Sequence, residues 1–241
     1  MARDRKMRSF CLTGLFLFSI LFSLALPAGT VSASNETTSG TITGTETWAG
    51  VHTLTGDVTI APGAKLIINP GATIEFPNGT HLDVRGSLCA GLASCGASSN
   101  AGPAMRINLR WSEPVNASAT GECYGMSYGN QEIWIDDPSC SEGILMRSSI
   151  DLAETGLRYV TFDSAWGIPQ YISAVGEFRY GALVLDGASP TLTELSFNQI
   201  NTSSVLTTNL AQPSFNGGDF AVGIDANTGI VGAALQIYSS G

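Results

Sequence analysis

The stretch that decides the fold is Gly56-Asp-Val-Thr-Ile-Ala-Pro-Gly-Ala-Lys-Leu-Ile-Ile-Asn-Pro-Gly-Ala-Thr-Ile-Glu-Phe76, continued by Pro77-Asn-Gly-Thr-His-Leu-Asp-Val84. Val58 and Ile60, Leu66 and Ile68, Ile74 and Phe76, and Leu82 and Val84 are apolar pairs, each starting eight positions after the one before. The i, i+2 spacing within each pair is that of one strand face, because successive strand side chains alternate sides. Between the pairs lie Ala61-Pro-Gly-Ala64, Asn69-Pro-Gly-Ala72 and Pro77-Asn-Gly-Thr80. Gly at the third position of such a turn supplies the positive φ of a type II turn, and Pro suits the second. Short strands that turn always the same way, with no helix between them, wind into a solenoid. Three sides of eight residues make a rung of about 24, which places Val58 beneath Leu82 and Ile60 beneath Val84. The interior ladder is then Val58, Ile60, Leu66, Ile68, Ile74, Phe76, Leu82 and Val84, while Lys65, Ile67, Thr73, Glu75, His81 and Asp83 point outward, with Lys65, Glu75 and Asp83 expected to be exposed.

Outside this block the pattern is less regular. Residues 1–33 have the anatomy of a secretory signal peptide: Arg3, Arg5, Lys6 and Arg8, an apolar run from Phe10 to Leu26, and a small-x-small site at Val31-Ser-Ala33. The apolar run, interrupted by Thr13, Gly14, Ser19 and Ser23, is shorter than the ~20 residues that a membrane span needs. Residues 34–47 read as a flexible polar leader, and 48–241 as the coil, with Trp48 to Leu54 its first structured segment. An insertion over about 112–148 interrupts it. Strand patterns return at Gly156–Phe162, Gly181–Leu185, Thr191–Phe197, Phe220–Ile224 and Ala234–Tyr238, and Val160 and Val184 have rung spacing. The strand-like Ala234–Tyr238 near Gly241 raises the expectation of a longer chain, or of self-association through that end.

Without residues 1–33 the chain keeps seven basic and nineteen acidic residues, net −12, with Lys65 as its one lysine. Such a balance disfavours nucleic acid and anionic lipid partners. Few charges with abundant Gly, Ser, Thr and Asn fit a β-rich extracellular protein, secreted or held at the cell surface. Four cysteines remain after Cys11 leaves. An even count in an exported chain favours two disulfides, and among three pairings proximity favours Cys89–Cys95 with Cys123–Cys140, the latter pinning the insertion. Asn35, Asn78, Asn116 and Asn201 head glycosylation sequons.

The 56–76 run resembles the opening rung of right-handed parallel β-helix proteins, and so does Leu157-Arg-Tyr-Val-Thr-Phe162 followed by Gly181-Ala-Leu-Val-Leu-Asp-Gly-Ala-Ser-Pro-Thr-Leu192. These are similar to secreted or surface proteins of the pectate-lyase-like superfamily, including many from microbes of marine habitat. The resemblance implies an all-β fold, a right-handed single-stranded parallel β-helix. It leaves the activity open, because this fold hosts lyases, hydrolases, adhesins and inert stalks.

Candidate functional residues lie mostly in the irregular regions. Trp111, Tyr124, Tyr128, Trp134, Trp166 and Tyr171 carry the aromatic faces that stack on sugars or anchor interfaces, but packing of the insertion onto the coil is the stronger expectation for them. Tyr124, Tyr128, Trp134 and Trp166 are the candidate binding residues. Asp136, Asp137 and Glu142 are a weak Ca²⁺ candidate, set against a solvated acidic loop, and no other cofactor is called for. Catalytic residues are not assigned: Glu75 and Asp83 project from neighbouring sides, Arg85, Arg158 and Arg179 are dispersed, and His52 and His81 are the only histidines. The reading is therefore a non-catalytic module, structural, adhesive or carbohydrate-binding, whose partners are a polysaccharide or another surface protein. The competing reading is a polysaccharide lyase or glycoside hydrolase, favoured if carboxylates, or a carboxylate and an arginine, converge in a groove on one side.

Overall fold

In the computed structural model, which describes residues 36–112, 141–200, 202–220 and 234–238, Val58 lies opposite Leu82 and Ile60 opposite Val84, as the 24-residue rung requires. All eight residues of the expected interior ladder are buried. The turns form as the sequence predicts. Ala64, Ala72 and Thr80 donate their N–H groups to the carbonyls of Ala61, Asn69 and Pro77 at 2.9, 3.2 and 3.3 Å. Gly63, Gly71 and Gly79 hold φ of 79°, 80° and 74° at the third turn position.

Strand pairing sorts into three stacked columns, here sides A, B and C of a solenoid-like coil. Side A stacks Gly40–Ile42 of β1 (Glu36–Ile42), Val58–Ile60 of β3 (Val51–Ile60), β6 (His81–Val84) and β9 (Gly143–Arg147). It continues through β13 (Glu177–Asp186), β15 (Ser203–Thr208) and β17 (Leu235–Ile237). Side B stacks β2 (Thr45–Trp48), β4 (Lys65–Ile68), β7 (Ser87–Ala90), β10 (Gly156–Arg158) and the first halves of β14 (Thr191–Asn198) and β16 (Ser214–Phe220). Side C takes the first halves of β1 and β3, then β5 (Thr73–Phe76), β8 (Ile107–Trp111), β11 (Val160–Asp163) and the second halves of β14 and β16. All these pairings are parallel. The exception is β12 (Ile168–Ile172), which pairs antiparallel with the start of β13 as a hairpin. No described helix is long and apolar enough to cross a membrane.

The interior is a set of aliphatic stacks with an aromatic ladder on side C. Phe76, Trp111, Phe162, Phe197 and Phe220 stack rung upon rung, with successive ring centroids 4.3, 6.2, 4.7 and 5.4 Å apart. Trp111 satisfies its indole N–H on the Thr80 carbonyl at 2.9 Å. It is a residue of the coil's own core and not a surface aromatic.

Several expectations need correction. Residues 36–47 are not a leader: β1 and β2 pair with β3 and β4 and carry the coil's first sides, with Ile42 and Trp48 pointing into the core. Gly40 and Glu46 stand where the later rungs carry Val58 and Leu66, so each inward pair keeps one large apolar residue, but Thr41, Thr45 and Thr47 are good strand formers. Regular coil resumes at Gly143, inside the expected insertion, because β9 fits between β6 and β13; residues 113–140 lie outside the described residues. Val160 does not stack on Val184: it pairs with Ile107 on side C, whereas Val184 is on side A. Two outward residues are buried. Ile67 is covered by the 91–106 excursion, packing with Cys89, Cys95, Ala97 and Leu92, and Asp83 is covered by arginines. Lys65 and Glu75 point outward as expected but are half-buried.

Candidate functional site

The feature that distinguishes one side of the coil is the β12–β13 hairpin on side A. The outward column there is Thr59, Asp83, Leu145, Val184 and Leu206, aligned by register through β3, β6, β9, β13 and β15. Three of these are aliphatic and would face water. The hairpin prevents it: Ile168 packs over Leu145, Val184 and Leu206, with Tyr238 against the cluster. Beyond the edge of this cover lies a shallow cavity of about 100 Å³ lined by Gln170, Tyr171, Ile172, Asp186, Asn209 and Tyr238 among others. Tyr171 is 59% exposed. The Tyr238 hydroxyl accepts from Arg179 Nε at 3.0 Å, which fixes its ring at the wall. An exposed tyrosine beside carboxylate, amide and hydroxyl groups is the composition of a surface that holds a polar ring.

The floor of the groove continues into an ion network. Asp186 Oδ2 lies 3.3 Å from Arg147 Nη1, and Arg147 Nε lies 3.2 Å from Asp83 Oδ1. Arg85 donates from Nε and Nη2 to Asp83 Oδ2 at 2.9 and 2.8 Å. Asp186 Oδ1 accepts from the Thr208 hydroxyl at 3.2 Å and from the Asn209 amide. Asp83 is 5% exposed, and a carboxylate so deep needs this full set of donors. Carboxylates and arginines therefore do converge on side A. Their arrangement places Arg147 between Asp83 and Asp186, in the space where a glycosidase would hold the sugar between two carboxyl groups ~5–10 Å apart. Glu75 stands on a different side: it accepts from Thr53 Oγ1 at 3.0 Å and is in register with Arg110, which approaches Asp163 at 3.6 Å.

Among the described residues, Glu142 is the carboxyl whose acidity is strongly altered. It is 1% exposed, just before β9, and does not belong to a solvated loop. Its Oε1 accepts from Gly79 N–H at 2.8 Å and its Oε2 from Trp166 N–H at 3.1 Å. Its backbone is bridged to Gly167, with N···O distances of 3.2 and 2.9 Å. Burial pushes the carboxyl from 4.5 up to about 7, against the two N–H groups, which favour the ionised form. Both oxygens are occupied, so Glu142 ties the turn at Gly79 to the strand lead-in at Trp166. It is a clamp, and the Ca²⁺ role considered for it does not suit a carboxylate already held by two backbone donors.

The other sequence-derived candidates divide as follows. Cys89 and Cys95 form a disulfide with Cα atoms 5.8 Å apart. Trp166 is half-buried and contributes its backbone N–H to Glu142, on the far side of Gly167 from β12. Asn78 is exposed at its turn. Tyr124, Tyr128, Trp134, Asp136, Asp137, the Cys123–Cys140 pair and the sequons at Asn35, Asn116 and Asn201 lie outside the described residues. Arg147, Asp186, Asn209 and Tyr238 were not singled out by the sequence. For Asp186 a signal exists: in Val184-Leu-Asp186 the alternation that buries Leu185 sends Val184 and Asp186 outward together. The chain matches no protein-family model, no curated protein and no solved structure, so geometry alone carries the functional argument.

Proposed function

We propose that this chain is an exported, non-catalytic module built as a right-handed parallel β-helix of the pectate-lyase-like kind, acting at the cell surface or outside the cell by binding carbohydrate. The observation that carries the reading is the groove beside the hairpin, which exposed Tyr171 lines together with Asp186, Asn209 and Tyr238. Sugar rings present an apolar face to an aromatic, and the groove sets the exposed Tyr171 among polar side chains. Rigid parallel strands on one side and a hydrogen-bonded hairpin on the other keep this surface pre-formed, which lowers the ordering cost of binding. The second reading, a polysaccharide lyase or glycoside hydrolase, is favoured by the convergence of Asp83, Arg147 and Asp186 on one side. Against it, Arg147 fills the space between the two carboxylates.

A glycan array probed with the parent chain and with Tyr171→Ala tests the proposal. Binding that falls at least tenfold in the variant, with an unchanged melting temperature, is the expected result. A parallel screen for new reducing ends or unsaturated sugar products is expected to stay blank. Product formation that disappears in Asp186→Asn would replace the binding reading with the enzymatic one.

A further inference from the structure

We propose that Asn78–Gly79 is a self-modification site, where the asparagine closes on the nitrogen of Gly79 to give an isoaspartyl link, and that Glu142 sets its rate by holding the hydrogen of that nitrogen. The inference rests neither on the groove nor on carbohydrate binding. In the repeat that opens the coil, the first two turns place Pro62 and Pro70 before their glycines, and the third places Asn78 before Gly79. Proline there has no side-chain amide and is inert. Asn78 is exposed, and Gly79, with φ at 74°, has no Cβ to hinder approach to its nitrogen. The reaction needs no partner but water. The Gly79 nitrogen forms a bond to Asn78 Cγ, the bond from Cγ to the side-chain nitrogen breaks, and that nitrogen leaves as ammonia with the proton given up by Gly79. Water then opens the cyclic imide at either carbonyl. One opening leaves an ordinary aspartate, and the other routes the backbone through the former side chain as an isoaspartyl link. Because the attack is intramolecular, the availability of the nitrogen decides the rate.

That nitrogen already has a role in the fold. Gly79 N–H donates at 2.8 Å to Oε1 of Glu142, a carboxyl 63 positions away and 1% exposed. In the imide the new bond to Cγ stands where the hydrogen stood, so the clamp and ring closure exclude one another. The rest of the turn gives the nitrogen little freedom. Thr80 donates to Pro77 O from its N–H at 3.3 Å and from Oγ1 at 2.7 Å, and Thr80 O accepts from the Trp111 indole at 2.9 Å. Ring closure therefore waits on local openings in which the bond to Glu142 is broken. One net hydrogen bond supplies a factor of about ten. The coupling also runs the other way. An isoaspartyl link adds a backbone carbon between position 78 and Gly79, which moves the Gly79 N–H off Oε1. The buried carboxyl then keeps one backbone donor, Trp166 N–H at 3.1 Å. The conversion is irreversible, so the tie between this turn and the lead-in to the hairpin has a lifetime set by the chemistry of the turn.

The test is a time course at neutral pH on the full chain, made in a host that adds no glycan at Asn78, with peptide mapping that separates isoaspartate from aspartate. Asn216–Gly217, the other Asn-Gly pair of the sequence, is the internal reference. In the folded chain isoaspartate at position 78 is expected to form about tenfold more slowly than in urea. Glu142→Ala should bring position 78 to the urea rate and leave Asn216 at its parental rate. The isolated isoaspartyl form should exchange its Trp166 amide hydrogen faster than the parent; an unchanged rate overturns the coupling to the hairpin. Three results would each overturn the proposal: conversion at position 78 as fast in the folded chain as in urea, no conversion there over many half-times of the denatured chain, or a folded Glu142→Ala chain with the parental rate at that position. If Glu142→Ala does not fold, Asn216 accelerates together with position 78. Hydrogen exchange of the Gly79 amide in the parent then decides, since its protection must match the ratio of the urea rate to the folded rate. An unprotected Gly79 amide overturns the proposal.

Discussion

Glu142 should make the stability of the coil fall as pH rises from 5 to 8, a direction opposite to that of an ordinary ion-paired carboxylate. Its carboxyl titrates near 7 in the folded chain, because burial at 1% exposure outweighs the N–H groups of Gly79 and Trp166, against 4.5 when solvated. Between those values the folded state binds more protons than the unfolded one, so ∂ΔG/∂pH is negative. The stabilisation is full below about pH 4.5 and lost as pH passes through about 7. At 1.36 kcal/mol per pH unit the gap amounts to about 3 kcal/mol. Glu142→Gln removes the charge but turns an amide nitrogen towards one of the two backbone donors, which costs about 1 kcal/mol at any pH. The variant should therefore be nearly as stable as the parent at pH 5, where about 0.8 kcal/mol of the gap is already lost, and more stable at pH 8 by about 2 kcal/mol. Urea unfolding followed by tryptophan emission at both pH values measures this, since Trp48 and Trp111 are buried. Every other titrating group is common to both chains and cancels in the difference. A difference that keeps the same sign and size at pH 5 and 8 would refute the reasoning, and with it the claim that burial governs this carboxyl.

The remaining expectations concern the core and its covers. Phe162→Ala removes the middle of the aromatic ladder, between Trp111 and Phe197, and should cost about 3–5 kcal/mol in denaturant unfolding; a loss below 1 kcal/mol would mean that the rungs are not stacked there. Gly167 has φ at 103°, and an added Cβ would lie 2.4 Å from Thr202 Oγ1 and 3.1 Å from Gly181 N, so Gly167→Ala should lower the melting temperature sharply. Thr202→Val, which replaces a buried hydroxyl with no partner among the described residues, should be neutral or stabilising by up to about 1 kcal/mol. Replacing Cys89 and Cys95 by Ala opens a seven-residue loop, worth about 2 kcal/mol by chain entropy; no change in unfolding midpoint would place the stability of this excursion in Ile67 and Leu92 instead.

The legibility of the fold varied along the chain for a physical reason. Between Val58 and Val84 the turns are as short as turns can be, so strand spacing equals rung geometry, and both register and burial follow from counting. Beyond Ala90 the chain leaves the coil between sides. Leu82 is paired with Ile144 and Ile74 with Leu109, separations that no fixed period predicts. Side-chain parity survived where burial did not: Asp83 and Ile67 do point outward, and they are covered by Arg147 and by the Cys89–Cys95 excursion. Arg147 is 64 positions away from Asp83, so only the assembled stack brings them together.

The same logic locates the groove. A strand buried on both faces reads as a continuous apolar run, and side A acquires that character in β9, β13 and β15: Ile144-Leu-Met146, Leu183-Val-Leu185 and Val205-Leu206. Three rungs with apolar residues on their outer face require a cover, and β12 supplies it as an antiparallel hairpin one strand wide. A cover that narrow ends before the side does. Asp186, Thr208 and Asn209 mark the place where the outward column turns polar again, and the step between hairpin edge and polar column is the groove. Shortening the hairpin by deleting Ser173–Gly176 should therefore disturb the Tyr171 wall at its tip, while Ile168, paired with Gly181 at its base, still covers Leu145, Val184 and Leu206. Loss of glycan binding without dye binding to the aliphatics is expected in this variant. A shortened chain that binds glycan normally would place the sugar elsewhere on the coil, since no other element described here forms that wall.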